Sequence, residues 1–250
     1  KHLESFRTRV EPKPKDWEPT PEVKEWGGRK AGSYKWFEIQ DSVDYHAEFE
    51  KPKITYGHFS QTALFSLDTS GFYSNDKSYI IPDADWYLLG LLNSKLQWFI
   101  IKSLCPYVRG GFYEVRIQYI ENLPIASPNK SQKEAIGSLA EQCQKAAEEL
   151  HALSTKFVNL LKTDFKLEKP STKLEQWHSL DFMGFLDELK KKRIVPTLTQ
   201  KSEWMDYFEK QKATAQSLKQ TITKLEKELN QQVYALYGLT AEEIAIVEGE

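Results

Sequence analysis

Cysteine, net charge and long apolar runs are all scarce in this 250-residue chain. Two cysteines, Cys105 and Cys143, cannot build a disulfide framework and lack metal-ligand spacing, which fits a reducing cytoplasm. No apolar run approaches the ~18–20 residues of a membrane span, and no signal-like segment opens the chain. Formal net charge is only −2, so any attraction for a polyanion must come from local clusters of cations. The sequence begins at Lys1 without Met, which reads as a fragment of a longer polypeptide.

Catalytic motifs are missing as well. The histidines His2, His46, His58, His151 and His178 form no His-Glu-x-x-His pattern and adjoin no cysteine pair, so no zinc site is expected. The chain has no Gly-x-x-x-x-Gly-Lys phosphate loop and no Gly-x-Ser-x-Gly nucleophile turn. Neither an Asn-Pro-Pro-Tyr segment nor a glycine-rich methyl-donor loop is present. A magnesium-dependent nuclease needs clustered carboxylates and a lysine beside the attacking water. Glu22-Val23-Lys24 follows Asp16 too closely, in a proline-rich segment, and Glu188-Leu189-Lys190 lies on an amphipathic helix pattern. Both read as solvated charge.

What is plentiful is aromatic: 7 Trp, 12 Tyr and 13 Phe, most of the Trp and Tyr lying before residue 128. The two prolines of Pro124-Ile125-Ala126-Ser127-Pro128 stop regular structure there. This predicts an α+β (mixed α/β) globule over 1–128 and an α-helical, antiparallel coiled-coil-like hairpin over 129–250. In the first part, strands are expected at Tyr34–Ile39, Lys53–Tyr56, Ala63–Leu67 and Ser78–Ile81, with a turn at Asp68–Gly71. Tyr87–Lys102, apolar nearly all round, predicts one buried helix.

In the second part, Ser131 with Glu134 has the capping-box spacing. Ile136, Leu139, Cys143, Ala146, Leu150, Leu153, Phe157 and Leu160 form a seam at three- and four-residue steps. A second seam runs through Ala215, Leu218, Ile222, Leu225, Leu229 and Leu236, with a gap at Gln232. Each helix would be roughly 45–50 Å long. A short helix is expected between Asp181 and Arg193, Gly238 should end the second long helix, and Thr240 with Glu243 should open a final one. The seams admit two readings: an intramolecular hairpin, which predicts a monomer, or an assembly surface for a partner subunit.

Cations and aromatics concentrate in two glycine-containing segments. Trp26 through Trp36 holds Arg29, Lys30 and Lys35 with no acid, and Ser33 and Tyr34 between them. An irregular arm carrying Arg7, Arg9, Lys13 and Lys15 precedes it. Tyr107 through Arg116 sets Arg109 against Gly110-Gly111, with Tyr113 and Arg116 beyond. Duplex DNA binding needs such cations for phosphates and planar or hydrogen-bonding groups for base edges. The same aromatics can equally be core or lid residues, and each glycine pair a tight turn. If the segments bind DNA, the two loops are expected side by side on the globule.

At these residues the chain resembles the TaqI-like C-terminal specificity domain of type IIG and related restriction–modification enzymes. The matching stretches are Glu11–Trp17, Trp26–Gln40, Phe49–Ile54, Leu67-Asp68 with Gly71–Asp76, Tyr87–Leu96, Arg109-Gly110-Gly111 and Tyr119–Ile125. Leu236–Ile244 is similar to the tail of such proteins. A departure is Tyr56-Gly57-His58-Phe59, where the family has a Tyr-Pro-Glu-Ile-like segment. The resemblance implies a non-catalytic module that selects a DNA sequence for methyltransferase and nuclease domains of the same polypeptide. S-adenosylmethionine and Mg²⁺ would belong to those domains, and no cofactor or metal to this chain. Its expected DNA contacts are Arg29, Lys30, Ser33, Tyr34 and Lys35, then Arg109, Tyr113 and Arg116, with Arg7 and Arg9 in the arm.

Overall fold

A computed structural model describes residues 2–40 and 43–249. The chain divides into two compact units, Lys1–Lys51 and Pro52–Glu250.

The first unit has little regular structure and, among its described residues, no buried side chain. A 3₁₀ turn at Leu3–Phe6 leads into the single-turn helix α1 (Arg7–Val10), and another 3₁₀ segment spans Asp44–Phe49. Between them the chain doubles back, and Pro12 and Arg29 form an isolated parallel bridge. The Glu11 carbonyl accepts from both the Arg29 main-chain N–H, at 2.9 Å, and Trp26 Nε1, at 3.1 Å. Gly28 lies so close that a Cβ there would stand 2.3 Å from that same oxygen. Its lack of a side chain therefore serves internal packing. The strand expected over Tyr34–Ile39 does not form; turns occupy the segment. The carbonyls of Lys35, Trp36 and Glu38, which a ladder would need, accept instead from the Arg29 guanidinium.

The second unit begins with a three-stranded antiparallel sheet of order β3-β1-β4, where β1 is Lys53–Gly57, β3 Phe65–Asp68 and β4 Ser78–Pro82. Alternation sends Ile54, Tyr56, Phe65 and Leu67 into the core. Strand β3 is an edge, yet its outward groups are occupied. Asn93 accepts from Phe65 N–H and donates to its carbonyl, and Gln144 does the same for Leu67. Two side-chain amides thus stand where a neighbouring strand would, which blunts the edge. Opposite the core, Lys53 is fully buried against Asp68. Asp68 also accepts from Ser70 N–H, Ser70 Oγ and Phe72 N–H, which fixes the turn after β3.

The buried helix expected over Tyr87–Lys102 is broken into α2 (Trp86–Leu92) and α3 (Lys95–Leu104). The break is the Asn93-Ser94 pair: Asn93 turns out to hold β3, and Ser94 Oγ caps α3 by accepting from Gln97 N–H. After the one-turn helix α4 (Ile117–Ile120), α5 (Lys130–Asp164) begins on an Asn129–Gln132 capping box, two residues before the expected Ser131–Glu134 pair. The chain then forms α6 (Thr172–Glu175), α7 (Phe182–Lys191), α8 (Leu198–Tyr237) and α9 (Ala241–Glu248). Gly238 ends α8 in the left-handed region at φ 68°, and Thr240 with Glu243 boxes the start of α9, both as the pattern predicts.

Helices α5 and α8 form the antiparallel hairpin. Ile136, early in α5, shares a core with Leu229, Val233 and Tyr234, late in α8. Phe157 and Leu161, late in α5, share one with Trp204, Phe208 and Ala215, early in α8. The expected seam drifts at its end, where Leu161 is buried and Leu160 is exposed. Helix α8 spans 40 residues, about 60 Å, longer than its aliphatic seam indicated. Its first turns pack through Trp204 and Phe208, which do not read as a leucine repeat. Helix α2 nestles on α5 near the open end of the hairpin: a Cβ on Gly90 would sit 2.8 Å from Ile136 Cγ2, 3.2 Å from Leu229 and 3.3 Å from Ala140. No helix among the described residues is long and apolar enough to cross a membrane.

Candidate nucleic-acid interface

The two cationic segments fall in different compact units. Each is built from its own contacts.

In the second unit, β5 (Tyr107–Val108) and β6 (Phe112–Glu114) form a hairpin ribbon within a three-stranded sheet, with Tyr107 opposite Tyr113 and Val108 opposite Phe112. Strand β2 (Phe59–Ser60) pairs on the far side of β6. The ribbon's three-residue loop is Arg109-Gly110-Gly111, and both glycines have φ +84°, a backbone conformation that excludes ordinary side chains. Gln61 Nε2 donates to the Gly110 carbonyl at 2.8 Å and braces the loop from the β2 side. Arg109 is exposed at the apex and has no ion pair among the described residues.

The ribbon's flanks are aromatic. Tyr113 is half-buried, with ring centroids 5.7 Å from Trp98 and 5.5 Å from Tyr107 in edge-to-face contact. Tyr107, Phe112 and Phe59 are exposed. Phe59 stacks on His58 at 4.3 Å, and His58 Nε2 lies 3.0 Å from Glu114 Oε1. Glu114 also accepts from Arg116 at 2.6 Å. The Arg116 hydrogen bond holds the Glu114 carboxyl below the ordinary glutamate value, partial burial opposes this, and His58 reinforces it. Arg116 is therefore already paired, and a phosphate would have to compete with Glu114 for it.

In the first unit, Arg29 faces inward. Its Nε donates to Val10 O at 2.8 Å, one terminal nitrogen to Glu38 O at 2.8 Å, and the other to Trp36 O at 2.9 Å and Lys35 O at 3.2 Å. The guanidinium also lies 4.6 Å from the Tyr34 ring centroid, and Tyr34 donates its hydroxyl proton to Lys30 O. Arg29 and Tyr34 thus shape the loop that carries Lys30, Ser33 and Lys35, all three exposed. Lys30 has no ion pair among the described residues, whereas Lys35 Nζ lies 3.7 Å from Glu38. Arg7 pairs with Glu11 at 3.0 Å and stands over Trp36 at 5.2 Å; Arg9 is exposed and unpaired among the described residues. Lys13, Lys15, Lys35, Tyr34 and Trp36, with Glu11, line a shallow depression on this unit.

An exposed cation on a rigid ribbon, and a cationic surface edged by indoles, can meet phosphates and base edges. Among the described residues no group of three or more His, Cys, Asp or Glu could hold a metal ion. Glu188, expected to be solvated, is buried and accepts hydrogen bonds from Ser171 and Lys191.

The pattern at the ribbon was partly legible. Gly110-Gly111 beside Arg109 announced the turn, and the aromatics around it marked the flanks. Gln61 and His58 carried no signal, since their partners lie 49 and 56 residues away.

Comparison with known families bears on both segments. Residues 22–125 match the model of the TaqI-like C-terminal specificity domain, and residues 129–233 match a domain of unknown function (DUF8810). A search of curated proteins finds no match. The first match spans both loops and the strands and helices between them, so residues 22–125 form a TaqI-like C-terminal specificity domain.

Proposed function

From that family assignment we propose that the chain is the sequence-specific double-stranded-DNA recognition module of a restriction–modification enzyme. The methyltransferase and nuclease chemistry, with S-adenosylmethionine and Mg²⁺, would reside in other domains of a type IIG-like parent, and this chain would supply no catalytic group. Such a parent would work in the cytoplasm. The observation that carries the reading is the β5–β6 ribbon: an arginine with no ion pair among the described residues, set at a glycine turn, flanked by exposed aromatics and braced by Gln61.

In this reading Arg109 enters the groove, with Tyr113 holding the ribbon's inner flank. Arg116 contributes only if a phosphate draws it from Glu114. Lys30, Ser33 and Lys35 form a second contact zone, with Arg9 and then Arg7 in the arm. Arg29 and Tyr34 act as positioning residues for that zone. The competing reading, an assembly domain held to a partner through the helix seams, loses force because α5 and α8 satisfy each other. The same packing supports a monomer.

Selection of bound duplexes from a random-sequence pool tests the proposal. The expected result is an enriched motif that loses information at one or two positions in Arg109→Ala. Recovery of unenriched sequence by a folded chain would reject it.

A further inference from the structure

The chain's charge is unevenly placed. Residues 162–219, the lobe that closes the hairpin, hold twelve Lys and Arg against nine Asp and Glu, a balance of +3 in a chain whose total is −2. Of these twelve cations only Lys191 forms an ion pair among the described residues. The concentration is sharpest at the end of α7, where Lys190, Lys191, Lys192 and Arg193 are all exposed.

Glu188 organises this corner. It is 5% exposed, and it joins the end of α7 to the start of α6 by accepting from Lys191 at 2.6 Å and Ser171 at 2.9 Å. Those two bonds, Lys191 first, hold its carboxyl below the ordinary glutamate value, and the charge of nearby Lys173 adds to the effect. Lys173 is thereby brought beside the run. A helix C-terminus favours cations in its last turn, which accounts for Lys190 and Lys191. It does not account for Lys192 and Arg193 beyond the helix, nor for Lys173 on another element. Arg193 moreover holds the left-handed region at φ 63°, an uncommon conformation for a side chain of its size.

The lobe is also held at a fixed reach. Along α5, the core around Ile136 and the core around Phe157 are about 32 Å apart, at 1.5 Å per residue. One turn of B-DNA advances roughly 34–36 Å. Phosphates facing one side of a duplex therefore recur at about the spacing between the two cores of the hairpin.

We propose that Lys190, Lys192 and Arg193, with Lys173, contact the duplex sugar-phosphate backbone about one helical turn from the sequence read by the β5–β6 ribbon. The inference rests on the DNA-recognition reading and adds a sequence-independent contact made by the helical half.

The test uses the whole chain with fluorescent mixed-sequence duplexes of two lengths, roughly 12 and roughly 24 bp, about one and two turns. Affinity is measured by anisotropy across a salt series. In the triple variant Lys190→Ala, Lys192→Ala, Arg193→Ala the slope of log K against log salt on the long duplex should fall by about 2.7, at ~0.9 per lost phosphate contact. On the short duplex the triple variant should match the parent chain. Arg109→Ala, by contrast, should weaken both duplexes. These lobe positions are exposed, and an unchanged circular dichroism melt verifies folding. If the parent chain binds and Arg109→Ala weakens it, but the triple variant keeps the full slope on the long duplex, the lobe contact is wrong and the recognition reading stands. Equal loss on both duplexes also rejects the one-turn placement. Failure of the parent chain to bind either duplex overturns both.

Discussion

Arg29 was expected at a DNA surface, and its geometry makes a different prediction. Two of its hydrogen bonds, to Val10 O and Trp36 O, are partly buried, and two more reach Glu38 O and Lys35 O at the surface. A hydrogen bond to a charged group nets roughly 1.5–3 kcal/mol, and an exposed cation–π contact such as that with Tyr34 about 0.5–1 kcal/mol. Water can reach the freed carbonyls, so the low end applies. Counting only the partly buried pair and the ring contact, Arg29→Ala should cost the first unit about 3.5 kcal/mol. That unit has no buried side chain among its described residues to offset such a loss. Hydrogen exchange should therefore show residues 2–40 and 43–51 losing protection while β1, α2, α5 and α8 keep theirs. The main thermal transition, set by the cores of the second unit, should hardly move. Arg29→Lys should not rescue, because a single ammonium cannot span four carbonyls. If Arg29→Ala leaves exchange unchanged but weakens duplex binding, the bracing role is refuted and Arg29 touches DNA.

Three further outcomes follow from the second unit. Burial works to raise the Asp68 carboxyl, but hydrogen bonds from Lys53, Ser70 and Phe72 overcome it and hold the pKa at about 2, below the ordinary 3.8. Because the folded value is the lower one, this stabilisation is complete above about pH 4 and is lost as pH falls towards 2. The stability gap between parent and Asp68→Asn, from urea melts, should narrow by ~2 kcal/mol across that window, and a constant gap would contradict the assignment. Gly90→Ala adds a methyl where α2, α5 and α8 converge, and should destabilise by about 1–3 kcal/mol despite alanine's better helix propensity; a raised melting temperature would show the crossing to be looser. Gln144→Leu strips the cover from Leu67 on β3 and should cost about 1–3 kcal/mol, with increased light scattering on heating as the edge is freed. Unchanged stability and solubility would mean the amide cap is dispensable.

Local pattern carried much of the fold. Strand-forming composition located β1 and β4, Gly238 ended α8, and Thr240 with Glu243 opened α9, because each depends on residues close in sequence. The errors came where a distant partner decided. Tyr34–Ile39 has strand composition, but Arg29 claims its carbonyls. Asn93-Ser94 sits in an apolar helical run, and only contact with β3 makes it a break. The early turns of α8 pack by aromatic rings against Phe157 and Phe185, so no aliphatic seam marked them. The interface divided in the same way. The glycine turn beside Arg109 was visible in sequence, whereas the inward aim of Arg29 and the pairing of Arg116 with Glu114 were not. Charge identity is written in the chain, but whether a cation is spent internally depends on what folds against it.

The central claim is that the β5–β6 ribbon presents Arg109 to a duplex groove. Its most direct measurement compares the folded chain and Arg109→Ala against the duplex enriched by selection and against that duplex scrambled. The account predicts a preference for the selected duplex that drops by ~1–3 kcal/mol in the variant, concentrated at one base position. Equal preference in both proteins, or none in either, would contradict it.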